Sequence, residues 1–170
     1  MGYVMLQLAV SIDGYISRKD DSVDFLSEME PNLTESFNLF LKGIETIIMG
    51  SRTYEVMLGF GEIPFQDKKI IVLTKRDLKS DSTNIIFTNQ DIESLILHET
   101  GNIWLFGGSK VIQQCINKNL IDEYQIHVVP QIIGEGIPLF LESNEIKNLN
   151  LIRLEQFGNS YTVTYKKHEY

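Results

Sequence analysis

Ile103-Trp104-Leu105-Phe106-Gly107-Gly108-Ser109-Lys110-Val111 runs an apolar strand into a glycine pair and straight on into a helix-like segment, Lys110 to Lys118. A buried strand delivers the backbone to a sheet edge. There the glycines remove the Cβ atoms that would block a close-approaching ligand. The helix start then turns unpaired N–H groups and the positive end of its dipole toward that ligand. Such a junction suits a phosphate or pyrophosphate, with a plain strand-to-helix turn as the alternative reading.

Thr46-Ile47-Ile48-Met49-Gly50-Ser51-Arg52-Thr53-Tyr54 repeats the arrangement: apolar strand, glycine, then a short helix near Arg52 to Leu58 whose first turn carries Ser51, Arg52 and Thr53. Hydroxyls and a guanidinium at a helix start favour an anion, because Arg offers bidentate donors to phosphate. A third strand, Lys69 to Leu73, ends in Thr74-Lys75-Arg76. These basic residues are local exceptions in a chain of net charge −8 and pI near 4.9. That overall sign argues against nucleic acid or an anionic membrane as partner.

A length of 170 residues with 43% hydrophobic content and a mean hydropathy of −0.06 fits one folded domain, residues 1–170. The lone Cys115 excludes an internal disulfide, fits a reducing compartment, and occupies an apolar helix position suited to a packed thiol. Met1 to Ala9 lacks the basic start of a signal peptide, and no apolar run approaches the roughly 20 residues of a membrane span. A cytoplasmic protein is predicted.

Outward from the glycine junctions, Tyr3 to Val10 reads as a buried strand ending at the turn Ser11-Ile12-Asp13-Gly14, and residues 18–24 form a polar loop. Pro31 to Lys42 is a helix, with Leu33, Phe37, Phe40 and Leu41 at helical spacing and Gly43 as its stop. Val23, Phe25 and Met29 ahead of it read as a substrate wall or a hydrophobic staple. A short strand Asn84–Phe87, a helix Asp91–His98 and the strand Asn102–Phe106 follow. Glu123 to Val129 alternates as a strand, Gly134 to Pro138 is a loop, and Leu149–Phe157 with Tyr161–Lys167 forms an antiparallel hairpin. The pattern predicts a three-layer α/β/α sandwich, mostly parallel in its central sheet, with an antiparallel C-terminal hairpin.

Five segments carry a family resemblance: Ser11 to Ile16, Ile48 to Tyr54, Phe106 to Ser109, Asp122 to Pro130 and Gly134 to Phe140. In order and approximate spacing they resemble the dihydrofolate-reductase-like superfamily, closest to the reductase domain of riboflavin biosynthesis enzymes (the RibD C-terminal type). The resemblance implies NADPH as cofactor. It implies that Ala9 and Ile16 offer backbone groups to the nicotinamide carboxamide. Gly50, Ser51, Arg52, Thr53, Thr74, Lys75 and Arg76 would hold the 2′-phosphate end. The turn from Phe106 through Gly107, Gly108, Ser109 and Lys110 to Val111 would cradle the pyrophosphate. It also implies a cis peptide in the glycine pair and, by analogy with riboflavin-type relatives, a homodimer.

The sequence departs from both branches of the resemblance. Dihydrofolate reductases carry an acidic pterin anchor at the start of the first helix, for which Thr34 and Glu35 are the nearest candidates; Glu35 is otherwise an exposed helix carboxylate. Riboflavin-type enzymes place basic residues on that helix, and here only Lys42 comes close. Asp13 reads either as a pocket carboxylate that orients or protonates substrate, or as half of an Asp-Gly turn. Trp104 is most simply core. His98, His127 and His168 are scattered and no metal-ligand spacing occurs, so no metal is predicted. The leading expectation is an NADPH-dependent reductase acting on a carbonyl or imine of a small substrate. Within that class the resemblance implies a 5-amino-6-(5-phosphoribosylamino)uracil reductase-like activity. Dihydrofolate reduction and a non-catalytic nucleotide-binding module are the alternatives.

Overall fold

Continuous apolar runs in the first half of the chain become parallel strands covered on both faces. The computed structural model describes residues 1–26, 30–143 and 145–168. In chain order the elements are β1 (Tyr3–Ser11), β2 (Tyr15–Ser17), α1 (Pro31–Lys42), β3 (Thr46–Gly50), α2 (Ser51–Gly59), β4 (Lys69–Leu73) and β5 (Ile85–Thr88). Then come α3 (Ile92–His98), β6 (Asn102–Gly107), α4 (Ser109–Asn117), β7 (Glu123–Val129), β8 (Ile137–Pro138), β9 (Leu149–Phe157) and β10 (Ser160–Lys167).

One eight-stranded sheet has the order β5-β4-β3-β6-β1-β7-β10-β9. Every pairing from β5 to β7 is parallel, and β10 runs antiparallel to both of its neighbours. Alternation along β1 sends Val4 and Leu6 to one face and Met5 to the other. On the first face α3 and α4 pack Ile92, Ile96, Val111, Ile112 and Cys115. On the second, α2 contributes Tyr54 and α1 contributes Phe37, Phe40 and Leu41 around Trp104. The expected three-layer sandwich is the architecture observed.

The differences are local. Glycines precede α2 and α4, with no side-chain cap among the described residues; α2 opens at Ser51, which the sequence places in its first turn, and α4 opens at Ser109, one residue before its predicted start. Asp91 lies outside α3, where its carboxylate accepts the Glu93 and Ser94 N–H groups as an N-cap. Gly43 ends α1 with φ −85°, a conformation any residue adopts, so its glycine character is not what stops the helix. The unpredicted β2 and β8 pair antiparallel, and they are too short to show a periodicity. A Cβ on Gly136 would collide with the Ser17 carbonyl, and its absence lets these two segments meet. Phe25 is buried, while Met29 lies outside the described residues.

Candidate active site

Because β4, β3, β6, β1 and β7 are parallel neighbours, their C-terminal ends share one edge of the sheet. The three anion-suited strand ends recognised in the sequence belong to β4, β3 and β6, which are consecutive in that order. The two helix-opening turns abut. A Cβ on Gly50 would lie 3.2 Å from Val111 Cγ2 and 4.0 Å from the Gly108 nitrogen, and one on Gly108 would lie 3.4 Å from Thr53 Oγ1. The Gly107–Gly108 peptide is cis. Among the described residues neither α2 nor α4 has a side-chain cap, which leaves the donors of their first turns to other acceptors.

These ends border a cleft of about 1220 Å³, above the roughly 300–1,000 Å³ typical of a single small-ligand pocket. Ala9 and Ile16 line it, as do Gly50, Ser51, Arg52 and Thr53. Thr74 and Lys75 line it from β4, and Phe106, Gly108, Ser109, Lys110 and Val111 from the second turn. Two expected residues do not. Arg76 is held outside by a bidentate pair with Glu55, each contact 2.9 Å, and Gly107 is buried behind the turn at φ +124°. Ser109 is buried and its hydroxyl donates to the Pro138 carbonyl, so only its backbone faces a ligand.

Neither expected catalytic carboxylate faces the cleft. Asp13 is exposed and accepts the Ile133 and Gly134 N–H groups at 3.2 and 2.8 Å. The Ser11 hydroxyl and then those backbone donors hold its pKa below the ordinary value, so it is an ionised loop tie and the turn reading applies. Glu35 is exposed on α1, whose cleft-facing residues are Leu33 and Phe37. That i, i+4 pair sets the phase, and positions 34 and 35 point elsewhere. Lys42 is exposed at the last turn of α1 and does not border the cleft.

Several lining residues escaped the sequence reading: Gln7, Asp21, Glu30 and His127. His127 pairs in register with Ala9 on one side and Thr162 on the other, and is only 6% exposed. Its Nδ1 lies 2.9 Å from Thr162 Oγ1, and burial lowers its pKa, which favours the neutral ring. Trp104 is core and cleft wall together. Its indole N–H donates to the Gln7 carbonyl at 2.9 Å, and Phe37, Phe40, Phe65 and Phe106 surround it at 4.7–5.6 Å between ring centroids. Cys115 is sealed in the opposite core, where burial pushes its thiol up to about 12.

The RibD C-terminal domain family matches this chain over residues 2–163. Uncharacterized protein YwjB of Bacillus subtilis (strain 168) is 33% identical over 166 residues, covering 95% of each chain. Among solved structures, a Shewanella sp. PV-4 protein assigned to riboflavin biosynthesis superposes with a TM-score of 0.87 at 22% identity, covering 98% of this chain and 99% of that one. Dihydrofolate reductase from Enterococcus faecalis, complexed with NADP(H) and RAB-propyl, superposes with a TM-score of 0.67 at 20% identity, covering 98% and 97%.

Proposed function

The chain belongs to the RibD C-terminal domain family, a reductase-type family, and from that membership and the cleft we propose that it is an NADPH-dependent reductase of a small heterocyclic substrate. The observation that carries the proposal is the succession of β4, β3 and β6, which sets three phosphate-suited strand ends side by side on one cleft. The donor set fits a dinucleotide phosphate: Arg52, Lys75 and Lys110 supply charge, and the glycine turns supply approachable N–H groups. NADP(H) in the Enterococcus enzyme of the same fold supports the cofactor assignment.

In this reading Thr74, Lys75 and the Gly50–Thr53 turn hold the adenosine 2′-phosphate end. The Gly108–Val111 turn holds the pyrophosphate, and Ala9 and Ile16 offer backbone groups to the carboxamide. When bound, the cofactor supplies the hydride that reduces a carbonyl or imine. The chain's own residues orient and desolvate: Leu33, Phe37, Phe65, Trp104 and Phe106 exclude water from one half of the cleft. A small-molecule substrate, a cytoplasmic location and a homodimer complete the proposal. No helix of the described residues is long and apolar enough to cross a membrane.

The family resemblance favours 5-amino-6-(5-phosphoribosylamino)uracil as substrate, with dihydrofolate second. The charge distribution of the cleft favours an unphosphorylated ring instead. Calorimetric titration with NADPH and NADH tests the cofactor assignment, with NADPH expected to bind more tightly; binding of neither would overturn it. Loss of nicotinamide absorbance on adding substrate separates a reductase from a non-catalytic nucleotide-binding module.

A further inference from the structure

The cleft is chemically divided. Its lining Arg and Lys residues, Arg52, Lys75 and Lys110, all stand at the strand ends assigned to the cofactor. The other half is walled by Leu33, Phe37, Phe65, Trp104 and Phe106, with no Lys or Arg among the described residues. The six residues outside that set, Ser27, Glu28, Met29, Asn144, Glu169 and Tyr170, include no Lys or Arg either. Glu30, which also lines the cleft at the start of α1, adds a negative charge. A phosphate in this half would be desolvated without a counterion, a large cost.

Two uncharged polar side chains of this half, Gln7 and His127, come from the sheet. Gln7 on β1 precedes Ala9 by two positions, and His127 on β7 is the register partner of Ala9, so both project to the same face. His127 Nδ1 is satisfied by Thr162, and Nε2 has no partner among the described residues. The Gln7 side-chain amide also lacks one there, its backbone carbonyl alone being taken by Trp104. A buried imidazole is ordinarily bonded at both nitrogens, so one hydrogen bond is left for a ligand. The Thr162 hydroxyl can donate or accept, so the neutral ring can present Nε2 as acceptor or donor.

We infer that the substrate is an uncharged, unphosphorylated planar heterocycle, hydrogen-bonded along its edge by His127 Nε2 beside the Gln7 amide and covered on its faces by the aromatic wall. The inference rests on the reductase reading for the division of the cleft between cofactor and substrate. Thr162 is a positioning residue that sets the imidazole.

The experiment is calorimetric titration of the full chain, with and without NADP+, using uracil and lumazine as neutral planar probes and ribose 5-phosphate as the phosphorylated one. At least one heterocycle is expected to bind, and ribose 5-phosphate is not expected to compete. His127→Leu should weaken heterocycle binding about tenfold and leave NADP+ affinity unchanged. His127→Gln, whose amide reaches the Nε2 position, should restore most of the loss, and a cooperative melt of each variant confirms folding. The inference is overturned if neither heterocycle binds, if ribose 5-phosphate binds more tightly than both, or if His127→Leu binds them as the parent does. Heterocycle binding that depends on His127, without NADP+ binding, would support the inference and overturn the reductase reading.

Discussion

The Arg52 guanidinium lies 2.8 Å from the Asp21 carboxylate, so the cation best placed for a phosphate at the opening of α2 already has a partner. The pair joins the loop ahead of α1 to α2. Arg52 is 67% exposed, so its worth to stability is small and an incoming phosphate can displace the carboxylate. Asp21 also holds φ +68°, which Asn tolerates.

Asp21→Asn is therefore expected to keep the loop and tighten NADPH binding, since Arg52 no longer has to leave a charge. Arg52→Ala should weaken NADPH by roughly 1.5–3 kcal/mol and leave NADH almost unchanged. Calorimetry with both cofactors checks the pair of variants. Equal losses for the two cofactors would remove Arg52 from the 2′-phosphate site.

Gly108 separates cofactor binding from folding. Its Cβ would meet Thr53 Oγ1 at 3.4 Å, an ordinary contact, so Gly108→Ala should fold and melt like the parent. Gly108→Val places further methyl groups in the turn and should abolish NADPH binding while circular dichroism stays native. Normal NADPH binding by the valine variant would mean that this turn is not the pyrophosphate cradle.

Burial lowers the pKa of His127 from its ordinary 6.5, so the folded chain takes up this proton later than the unfolded chain as pH falls. Stability from this group is fully present above that ordinary value. It declines as pH drops toward the folded pKa and levels off below it, where both states are protonated. Among the described residues the ring's hydrogen-bond partner Thr162 and its ring neighbour Phe157 are both uncharged. Denaturant unfolding between about pH 7 and pH 5 should show a shallower slope in His127→Gln than in the parent.

Thr164 carries a buried hydroxyl with no hydrogen-bond partner among the described residues. Thr164→Val removes that uncompensated group at nearly constant shape and keeps a β-branched residue in β10. A gain of about 1 kcal/mol is expected in urea unfolding. Marked destabilisation would reveal a partner for the hydroxyl.

The outer strand β9 exposes Leu151, Ile152 and Leu154, each more than half accessible, along an edge that no other strand of the described residues pairs with. A homodimer that covers this edge is expected to be disrupted by Leu154→Glu. Light scattering after size exclusion should show a dimer for the parent and a monomer for the variant.

Local chemistry was legible in the sequence, and partnerships between distant strands were not. The Gly50 and Gly107-Gly108 junctions announce themselves within a few residues, because each is a strand, a glycine and a helix in succession. Their adjacency follows from strand order, which no local pattern encodes. The apolar stripe Leu33, Phe37, Phe40, Leu41 already contained the phase that turns Glu35 away from the cleft. His127 reads as one member of an alternating strand; its meaning depends on Thr162, paired with it across β7 and β10. Asp13 satisfied the turn pattern and the carboxylate pattern equally, and only the position of Gly134 decides between them.

Trp104 is the only tryptophan in the chain, and its ring is fixed in the cleft wall by the bond to the Gln7 carbonyl. Its fluorescence therefore reports on one location, with no second indole to average against. Reduced nicotinamide absorbs where indole emits, so occupancy of the cofactor half should drain the tryptophan signal by energy transfer. A ring stacked in the aromatic half should instead quench it by contact. The protein carries its own optical probe, and occupancy of the two halves can be followed in real time without a label.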